Sequence, residues 1–397
     1  MNAILSRLRF LTAGESHGPA LVAILEGMVA GLPLTQEDID RELARRQKAF
    51  GAGGRMRIEK DQVRILGGVM AGHTTGAPIA LLLENRDHVH WVGKEIPPMT
   101  IPRPGHADLT AAVKYGYREL RLALERASAR ETAARVAVGA VCKAFLRRFH
   151  IRVGSYVLEI GGVRPPLPSD MPYEERFAQA EANDLRAPTV EGAEAMRRRV
   201  REAMAAKDTV GGVYEVVALG VPPGLGSHVH WDRRLTARVA AAMLSIPAMK
   251  GVEIGPAFEN ARRPGTQVHD EIFLEGETIV RRTNRAGGIE GGITTGMPLV
   301  VRVAMKPIST TLTPLRSVDL AQGKPARTRY ERSDINAVPR AAVVAEAMLA
   351  IVLADALLEK LGGDSMEELL PRFRELRQLR LGDLPMEEGG TYWERKK

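Results

Sequence analysis

Two short glycine-containing segments each carry a histidine in a position suited to proton transfer. Residues 14–18 read GESHG and contain His17, and residues 103–108 read RPGHAD and contain His106. Glycine lets the backbone turn tightly and approach a ligand, and an imidazole gains and loses a proton near neutral pH. A histidine in a tight turn is also common as a structural hydrogen-bonding residue. Taken alone, each segment is compatible with either role.

Basic and hydroxyl side chains at a predicted helix start indicate a phosphate site. Residues 126–131 read RASARE, so Arg126, Ser128 and Arg130 surround the first backbone N–H groups of a helix. A helix start carries partial positive charge, and arginine side chains add charge-assisted hydrogen bonds to an anion. Ordinary helix capping with surface arginines is the alternative interpretation.

A glycine-rich stretch in the second half of the chain is a further candidate for ligand contact. Residues 287–296 read GGIEGGITTG, and residues 306–311, after a predicted strand, read KPISTT. No helix pattern follows the glycines and Lys306 does not complete a P-loop, so neither nucleotide motif is present. The glycines remain candidates to contact a flavin phosphate or ring. Residues 332–334, RSD, add an arginine and a carboxylate at the entry to a helix.

Metal and covalent chemistry are disfavoured by the same sequence. Residues 88–90 and 228–230 both read HVH, which on a strand would place two imidazoles on one face. No third-ligand pattern such as HExxH accompanies them, and the single cysteine, Cys142, lies in an apolar pattern. No GxSxG nucleophile elbow occurs. We therefore predict neither a metal site nor a covalent nucleophile.

Helix and strand patterns along the chain predict an α+β fold. Apolar spacing near 3.6 residues after start signals such as TQED and SARE predicts helices at residues 35–47, 107–121, 128–148, 191–206, 232–245, 338–360 and 366–376. Short apolar or alternating runs predict strands at residues 21–27, 63–66, 78–83, 154–160, 213–219, 268–273 and 298–305.

The two halves of the chain repeat a sequence pattern. GHTTGAP at residues 72–78 is matched by GITTGMP at residues 292–298, and each leads into an apolar strand. We therefore expect a single domain, 1–397, that contains two duplicated halves, 20–160 and 213–360. Chance recurrence of Gly-Pro turns is the alternative. The charged stretch 170–207 between the halves is expected to form a solvated helical insertion.

An excess of positive charge favours anionic ligands. Lys plus Arg number 56 against 48 Asp plus Glu, which gives a formal charge of +8. A nucleic-acid-binding protein is the alternative from another class, but aromatic residues are 5% and no binding motif is present. The apolar run 343–358 contains two carboxylates, so we expect a buried amphipathic helix and no membrane contact. One cysteine and no signal-peptide pattern favour the cytoplasm.

Taken in order, these segments resemble the signature regions of the chorismate synthase family from about residue 10 to about residue 361. The matching stretches are TAGESHG (12–18), GGRM (53–56), RPGHAD (103–108), RASARE (126–131), KGVEIG (250–255), residues 287–298, KPIST (306–310) and RSD (332–334). The family commonly has arginine at the position of Ala52, serine at Ala127, and Asn or Gln at Pro247.

The resemblance implies an enzyme with a β-α-β sandwich core that removes phosphate from 5-enolpyruvylshikimate 3-phosphate by anti 1,4-elimination. This is the last step of the shikimate pathway to aromatic amino acids. The resemblance also implies reduced FMN as cofactor, which lends electron density to the substrate without net oxidation. By position, His17 would assist the departing phosphate, His106 would lie near flavin N1, and Asp334 would take the proton from flavin N5.

The resemblance further assigns binding residues and partners. The substrate-binding arginines are Arg46, Arg55, Arg103 and Arg130, whose planar forks suit carboxylates and phosphate. The FMN-binding positions are Arg126, Ala127, Ser128, Pro247, Ala248, Gly291, Lys306, Pro307, Ile308, Ser309, Thr310 and Arg332. A homotetramer is implied, with reduced flavin supplied by a separate reductase and NADPH acting indirectly. A flavin reductase or oxidase that itself uses NADPH is the alternative among enzymes, but no dinucleotide motif supports it.

Overall fold

A computed structural model describes residues 5–52, 60–331 and 333–386. The helices are α1 (Gln36–Gln47), α2 (Asp108–Tyr115), α3 (Arg121–Ala127), α4 (Thr132–Arg147), α5 (Tyr173–Ala182), α6 (Val190–Ala205), α7 (Leu235–Leu244), α8 (Ala257–Asn260), α9 (Val338–Leu361) and α10 (Met366–Arg374). The strands are β1 (Arg9–Ala13), β2 (Ala20–Glu26), β3 (Val63–Gly67), β4 (Val69–Met70), β5 (His73–Thr74), β6 (Ile79–Glu84), β7 (Arg152–Ile160), β8 (Gly212–Leu219), β9 (Met249–Ile254), β10 (Ile272–Glu275), β11 (Thr278–Arg281), β12 (Ile289–Glu290), β13 (Ile293–Thr294), β14 (Leu299–Met305), β15 (Arg316–Asp319) and β16 (Lys324–Arg327). This mixture of helices and sheets confirms the α+β class.

Two four-stranded antiparallel sheets have the same strand order relative to the chain. The first sheet has the order β1-β2-β6-β3 and the second has the order β7-β8-β14-β9. In each half a two-stranded hairpin precedes one inner strand of the sheet: β4-β5 precedes β6, and β12-β13 precedes β14. Ile24 of β2 pairs with Ala80 of β6, and Val216 of β8 pairs with Val301 of β14. The two sheets are therefore topological equivalents.

Helices α1, α4, α7 and α9 form the layer between the sheets. Helix α4 packs against α9 and against β2 and β6 of the first sheet, whereas α9 packs against β7 and β8 of the second. Alternate residues of β2, including Leu21 and Leu25, are fully buried because they face this layer. Gly139 of α4 permits the close approach of α9, because a Cβ there would lie 2.3 Å from Cβ of Ala347. The result is a β-α-β sandwich whose main apolar core runs through the helical layer.

Helix α9 is long and apolar enough, by length and composition, to cross a membrane, but its most apolar window is entirely buried inside the protein. It is thus the core helix of the sandwich, buried on all sides rather than amphipathic. Its carboxylates are paired: Glu346 accepts hydrogen bonds from Arg45 (2.9 Å) and Lys143 (2.5 Å), and Asp355 forms an ion pair with Arg238. Such pairing is what allows charged groups inside an apolar core.

Some predicted element boundaries are wrong. The predicted helix 107–121 is too long, because Gly116 takes a left-handed conformation (φ 68°) and ends α2, and α3 begins only at Arg121. Ser128 caps a short 3-10 turn instead of a long helix, and α4 begins at Thr132. The predicted strand 268–273 is also misplaced, since β10 begins at Ile272 after a 3-10 turn at Gly265–Gln267. The predicted capping box at Thr35 is confirmed.

The charged stretch 170–207 is less solvated than the sequence suggested. It contains α5 and α6, and α5 covers the face of the second sheet opposite α9. Phe177 of α5 packs there against Tyr156 and Val217, while Met196 and Val200 of α6 are buried in the main core. The charges of these helices therefore occupy one face of each, and the other face is apolar and packed.

Candidate active site

One cavity of about 640 Å³ collects most of the predicted site residues. Its walls come from the loop after β1, the loop before α2, the start of α4, the turn after α7, the end of β14 and the loop before α9. Both halves of the chain thus contribute to it. The predicted residues that line it are His17, Arg46, Arg103, His106, Arg126, Ala127, Ser128, Arg130, Pro247, Ala248, Lys306, Ile308, Ser309, Thr310 and Asp334.

Two of the predicted residues that the structure describes are not among these walls. Pro307 lies between two lining residues, and Gly291 lies in the turn between β12 and β13, outside the cavity. Arg55 and Arg332 lie outside the described residues. Their assignments, like the roles of the lining residues, remain predictions.

His17 is held by a carboxylate and an aromatic ring. Its ring Nδ1 lies 2.7 Å from Oε1 of Glu125, and its backbone N–H donates to Oε2 of the same group at 2.7 Å. The His17 ring packs on the Trp91 ring with centroids 4.0 Å apart. Burial alone would raise the pKa of Glu125, but the hydrogen bonds from His17 hold it below its ordinary value. Glu125 is therefore ionised at neutral pH.

His106 and Arg103 share one buried carboxylate. Nδ1 of His106 lies 2.5 Å from Oδ1 of Asp108, and Nε of Arg103 donates to Oδ2 at 2.8 Å. Nη1 of Arg103 donates to Oγ1 of Thr310 at 3.1 Å, which ties this loop to the end of β14. Burial would raise the pKa of Asp108, but hydrogen bonds from His106 and Arg103 hold it far below its usual range. The ionised carboxylate orients both cavity-lining side chains.

Arg46 and Arg130 meet at a second buried carboxylate. Nη1 of Arg130 lies 2.5 Å from Oδ1 of Asp61, and Nη1 of Arg46 lies 3.5 Å from Oδ2. Burial lowers the pKa of Arg46 to about 10, with Asp61 opposing this effect and the charges of Arg340 and Arg130 adding to it. A bound anion would relieve this crowding of positive charge. The arrangement therefore suits a carboxylate or phosphate ligand.

Asp334 and Arg340 form an ion pair at the cavity wall through Nη1 of the arginine. Nε and Nη2 of Arg340 are buried and have no hydrogen-bond partner within the part of the chain that the structure describes. A buried donor without an acceptor is costly, and in native proteins it calls for an explanation such as an absent ligand. An anionic ligand in the cavity would supply the acceptor.

The predicted FMN-binding residues include basic and hydroxyl side chains. Arg126, Ser128 and Lys306 all line the cavity. Burial, together with the charge of Lys250, lowers the pKa of Lys306 below its ordinary value. The backbone N–H of Lys306 donates to the carbonyl of Ala248 at 3.0 Å, so the two predicted FMN segments are adjacent.

The cavity walls are basic overall. Seven of the described lining residues are Lys or Arg, whereas three are Asp or Glu. A concave surface with an excess of one sign of charge raises the local concentration of ions of the opposite sign. The apolar part of the wall includes Ile246, Met305, Ile308 and Val344, which suit a ring rather than a charge.

The carboxylates that position the basic groups were missed from the sequence. Asp108 is the last residue of RPGHAD, two positions after His106, so its spacing was an available signal. Glu125 immediately precedes RASARE but is 108 positions from His17. Asp61 offered none, because it is 69 positions from Arg130. Trp91 gave no signal either, since a single aromatic residue in a loop predicts no contact.

The histidine pairs do not lie on strands, contrary to the expectation for an HVH pattern. His88 and His90 belong to a 3-10 helix, Arg86–His90, and His230 precedes another 3-10 turn, Trp231–Arg233. Within residues 5–52, 60–331 and 333–386, no group of three or more His, Cys, Asp or Glu side chains is arranged to hold a metal ion.

Known proteins are similar to this chain in sequence and in fold. A family model described as chorismate synthase matches residues 8–358. A chorismate synthase of Aquifex aeolicus is 56% identical over 385 residues, which cover 93% of this chain and 97% of that protein. One of Chlorobaculum tepidum is 51% identical over 387 residues, covering 93% and 98%. A crystal structure of chorismate synthase matches with a TM-score of 0.77 and 49% identity over 94% of this chain and 97% of that one.

Fold, cavity and similarity together define an α+β enzyme that acts on a small molecule. The chain belongs to the chorismate synthase family. Its activity is that of a lyase in aromatic amino acid biosynthesis, like that of its relatives.

Proposed function

We propose that the chain catalyses the anti 1,4-elimination of phosphate from 5-enolpyruvylshikimate 3-phosphate to give chorismate, with reduced FMN bound beside the substrate. The observation that carries the proposal is the convergence of His17, His106 and Asp334 on one basic cavity. These residues are far apart in the sequence, and a family resemblance in sequence does not require them to meet.

The residues present fit a flavin mononucleotide. The cavity of about 640 Å³ falls inside the range of about 300–1,000 Å³ that small-molecule sites occupy. Arg126, Ser128 and Lys306 would hold the phosphate, and the apolar wall at Pro247 and Ile308 would receive the ring. When bound, reduced FMN supplies electron density that helps the phosphate leave and recovers it as the hydrogen departs.

The substrate carries two carboxylates and a phosphate, and the arginines match these groups. Arg46, Arg103 and Arg130 each have a guanidinium at the cavity, already oriented by buried carboxylates. The unpartnered donors of Arg340 add a fourth candidate. Preoriented side chains lose little conformational entropy on binding, which favours affinity and a defined substrate geometry.

Two imidazoles and one carboxylate are assigned to proton transfer and to the charge beside the flavin. His17, with Nδ1 held by Glu125, is assigned to donate to the departing phosphate from Nε2. His106, with Nδ1 held by Asp108, is assigned to keep positive charge beside the flavin. Asp334 is the cavity carboxylate assigned to accept the released proton, and its ion pair with Arg340 holds the side chain in place.

We propose the assembly, the location and the electron source from the same resemblance. The enzyme works as a homotetramer in the cytoplasm, and a separate reductase supplies the reduced flavin with NADPH as the indirect electron source.

The proposal is tested by an anaerobic assay with the enolpyruvyl substrate, with and without reduced FMN. Phosphate and chorismate should appear in equal amounts when reduced FMN is present, and neither should appear without it. Release of phosphate without chorismate, or turnover that ignores the flavin, would overturn the assignment.

A further inference from the structure

We propose that Glu125 and Trp91 are positioning residues that make Nε2 of His17 the single atom through which this histidine exchanges a proton. The inference rests on the proposed function, because it concerns the step in which His17 serves the departing phosphate. It assigns roles to two residues that the family resemblance did not bring forward.

The carboxylate of Glu125 contacts His17 at two points. One oxygen lies 2.7 Å from ring Nδ1 and the other accepts the backbone N–H, also at 2.7 Å. A ring and its own backbone bound to the same carboxylate leave little freedom for the side chain to rotate. On the other side, the His17 carbonyl lies 2.8 Å from Nδ1 of His88.

The contact with Glu125 also determines which ring nitrogen of His17 carries a proton. An ionised carboxylate accepts hydrogen bonds and cannot donate, so Nδ1 must carry a proton. Neutral His17 then has its lone pair on Nε2, and the protonated form has its exchangeable N–H there. Within the described residues Nε2 makes no hydrogen bond, which leaves it for a ligand in the cavity that His17 lines.

Trp91 fixes the plane of the ring. Its indole lies 4.0 Å from the His17 ring, centroid to centroid, and its Nε1 donates to Oδ2 of Asp87 at 3.3 Å. The guanidinium carbon of Arg121 lies 5.8 Å from the centroid of the indole. The tilted aromatic contact and the carboxylate together restrain rotation of the imidazole.

The charged and titratable groups around His17 come from two segments. Glu125 and Arg121 come from α3, and Asp87 and His88 come from the 3-10 helix. Glu125 makes the direct contact with the ring. Without this acceptor the proton is no longer fixed on Nδ1, so Nε2 ceases to be the single exchange atom.

Four variants test the inference: Glu125→Gln, Glu125→Asp, Glu125→Ala and Trp91→Phe. Gln can accept from one of the two His17 N–H groups but not both, and it carries no charge. We expect E125Q to lower kcat roughly 10- to 100-fold, part of what proton transfer itself contributes. KM should change less than threefold. E125D, which keeps the charge and both acceptor oxygens, should restore kcat, and W91F, which keeps an aromatic ring, should retain most activity.

The matched control is Glu175→Gln on the exposed side of α5, which should leave kcat and KM unchanged. An E125Q enzyme with normal kcat, together with a slow H17A enzyme, would overturn the inference and leave the proposed function standing. A wild-type enzyme that is inactive with substrate and reduced FMN would overturn both. If E125A does not fold, E125Q and E125D still decide the question.

Discussion

Arg130 and Asp61 form an ion pair in which both side chains are at most 5% exposed, with Nη1 and Oδ1 2.5 Å apart. Replacing Asp61 by Asn would leave Arg46 and Arg130 buried without their counter-charge. Breaking one side of a buried pair costs about 3–5 kcal/mol. We therefore expect D61N to lose about that much free energy of unfolding in urea titrations.

The control for D61N is Asp364→Asn. Asp364 pairs with Arg7 at the surface, and its side chain is 97% exposed. Exposed pairs contribute at most about 1 kcal/mol. Equal losses in the two variants would show that Asp61 is not the counter-ion that the cavity arginines need.

The two imidazoles should matter for turnover far more than for folding. His17→Ala and His106→Ala should each lower kcat by roughly 10²–10⁴-fold, because general acid–base groups contribute that much. Phosphate release under anaerobic conditions with reduced FMN is the measurement. His269→Ala, at an exposed position outside the cavity, is the control. Unchanged turnover in either cavity variant removes that histidine from the mechanism.

Lys306 should contribute charge to flavin binding. Lys306→Met should weaken FMN binding about 10- to 100-fold, since a hydrogen bond to a charged group is worth about 1.5–3 kcal/mol. Because burial and Lys250 lower the pKa of Lys306, FMN affinity should fall as pH rises, starting below the pH at which an exposed lysine deprotonates. Titration of flavin fluorescence checks both points. Lys324→Met, an exposed change on β16, should leave the affinity unchanged, and equal effects would contradict the assignment.

Glu346 should give the fold an acid-dependent stability. Burial opposes ionisation, but Arg45, Lys143 and Arg186 hold the pKa of Glu346 far below its ordinary value of 4.5. A depressed pKa stabilises the fold above the unfolded value, and this stability is lost as pH falls through the folded value. Glu346→Gln should therefore lose about 3–5 kcal/mol at pH 7. The gap to wild type should narrow below about pH 4.5, and a constant gap would contradict the linkage.

Much of the architecture could be predicted because long elements carry strong local patterns. Helix α9 and the helix that follows the Thr35 capping box were recognisable from apolar spacing and caps. Strands β1 and β9 were missed, since each is short and mostly half-exposed. The break at Gly116 was missed because one glycine inside a helical pattern is as often tolerated as terminating.

The site was predictable where family motifs named it and unpredictable where distant residues complete it. His17, His106 and Asp334 do line one cavity. Glu125, the partner of His17, and Asp61, the partner of Arg130, are set by tertiary packing, which no local spacing reveals. Pairings between residues more than a hundred positions apart, such as His17 with Glu125, require the folded chain.

We propose that residues 20–160 and 213–360 are halves related by duplication. The equal strand orders of the two sheets, with a hairpin before each central strand, support this. So does the long helix that follows each sheet's central strand, α4 in one half and α9 in the other. Residues of both halves line the active-site cavity, so the site would lie at the interface between the duplicated halves.

The most direct test of the central claim is a crystal structure of the protein with FMN and the enolpyruvyl phosphate substrate both bound. The account predicts that both ligands lie in the cavity, with the substrate phosphate within hydrogen-bonding distance of Nε2 of His17 and the flavin ring against His106. Either ligand bound elsewhere, with the cavity filled by solvent, would contradict it.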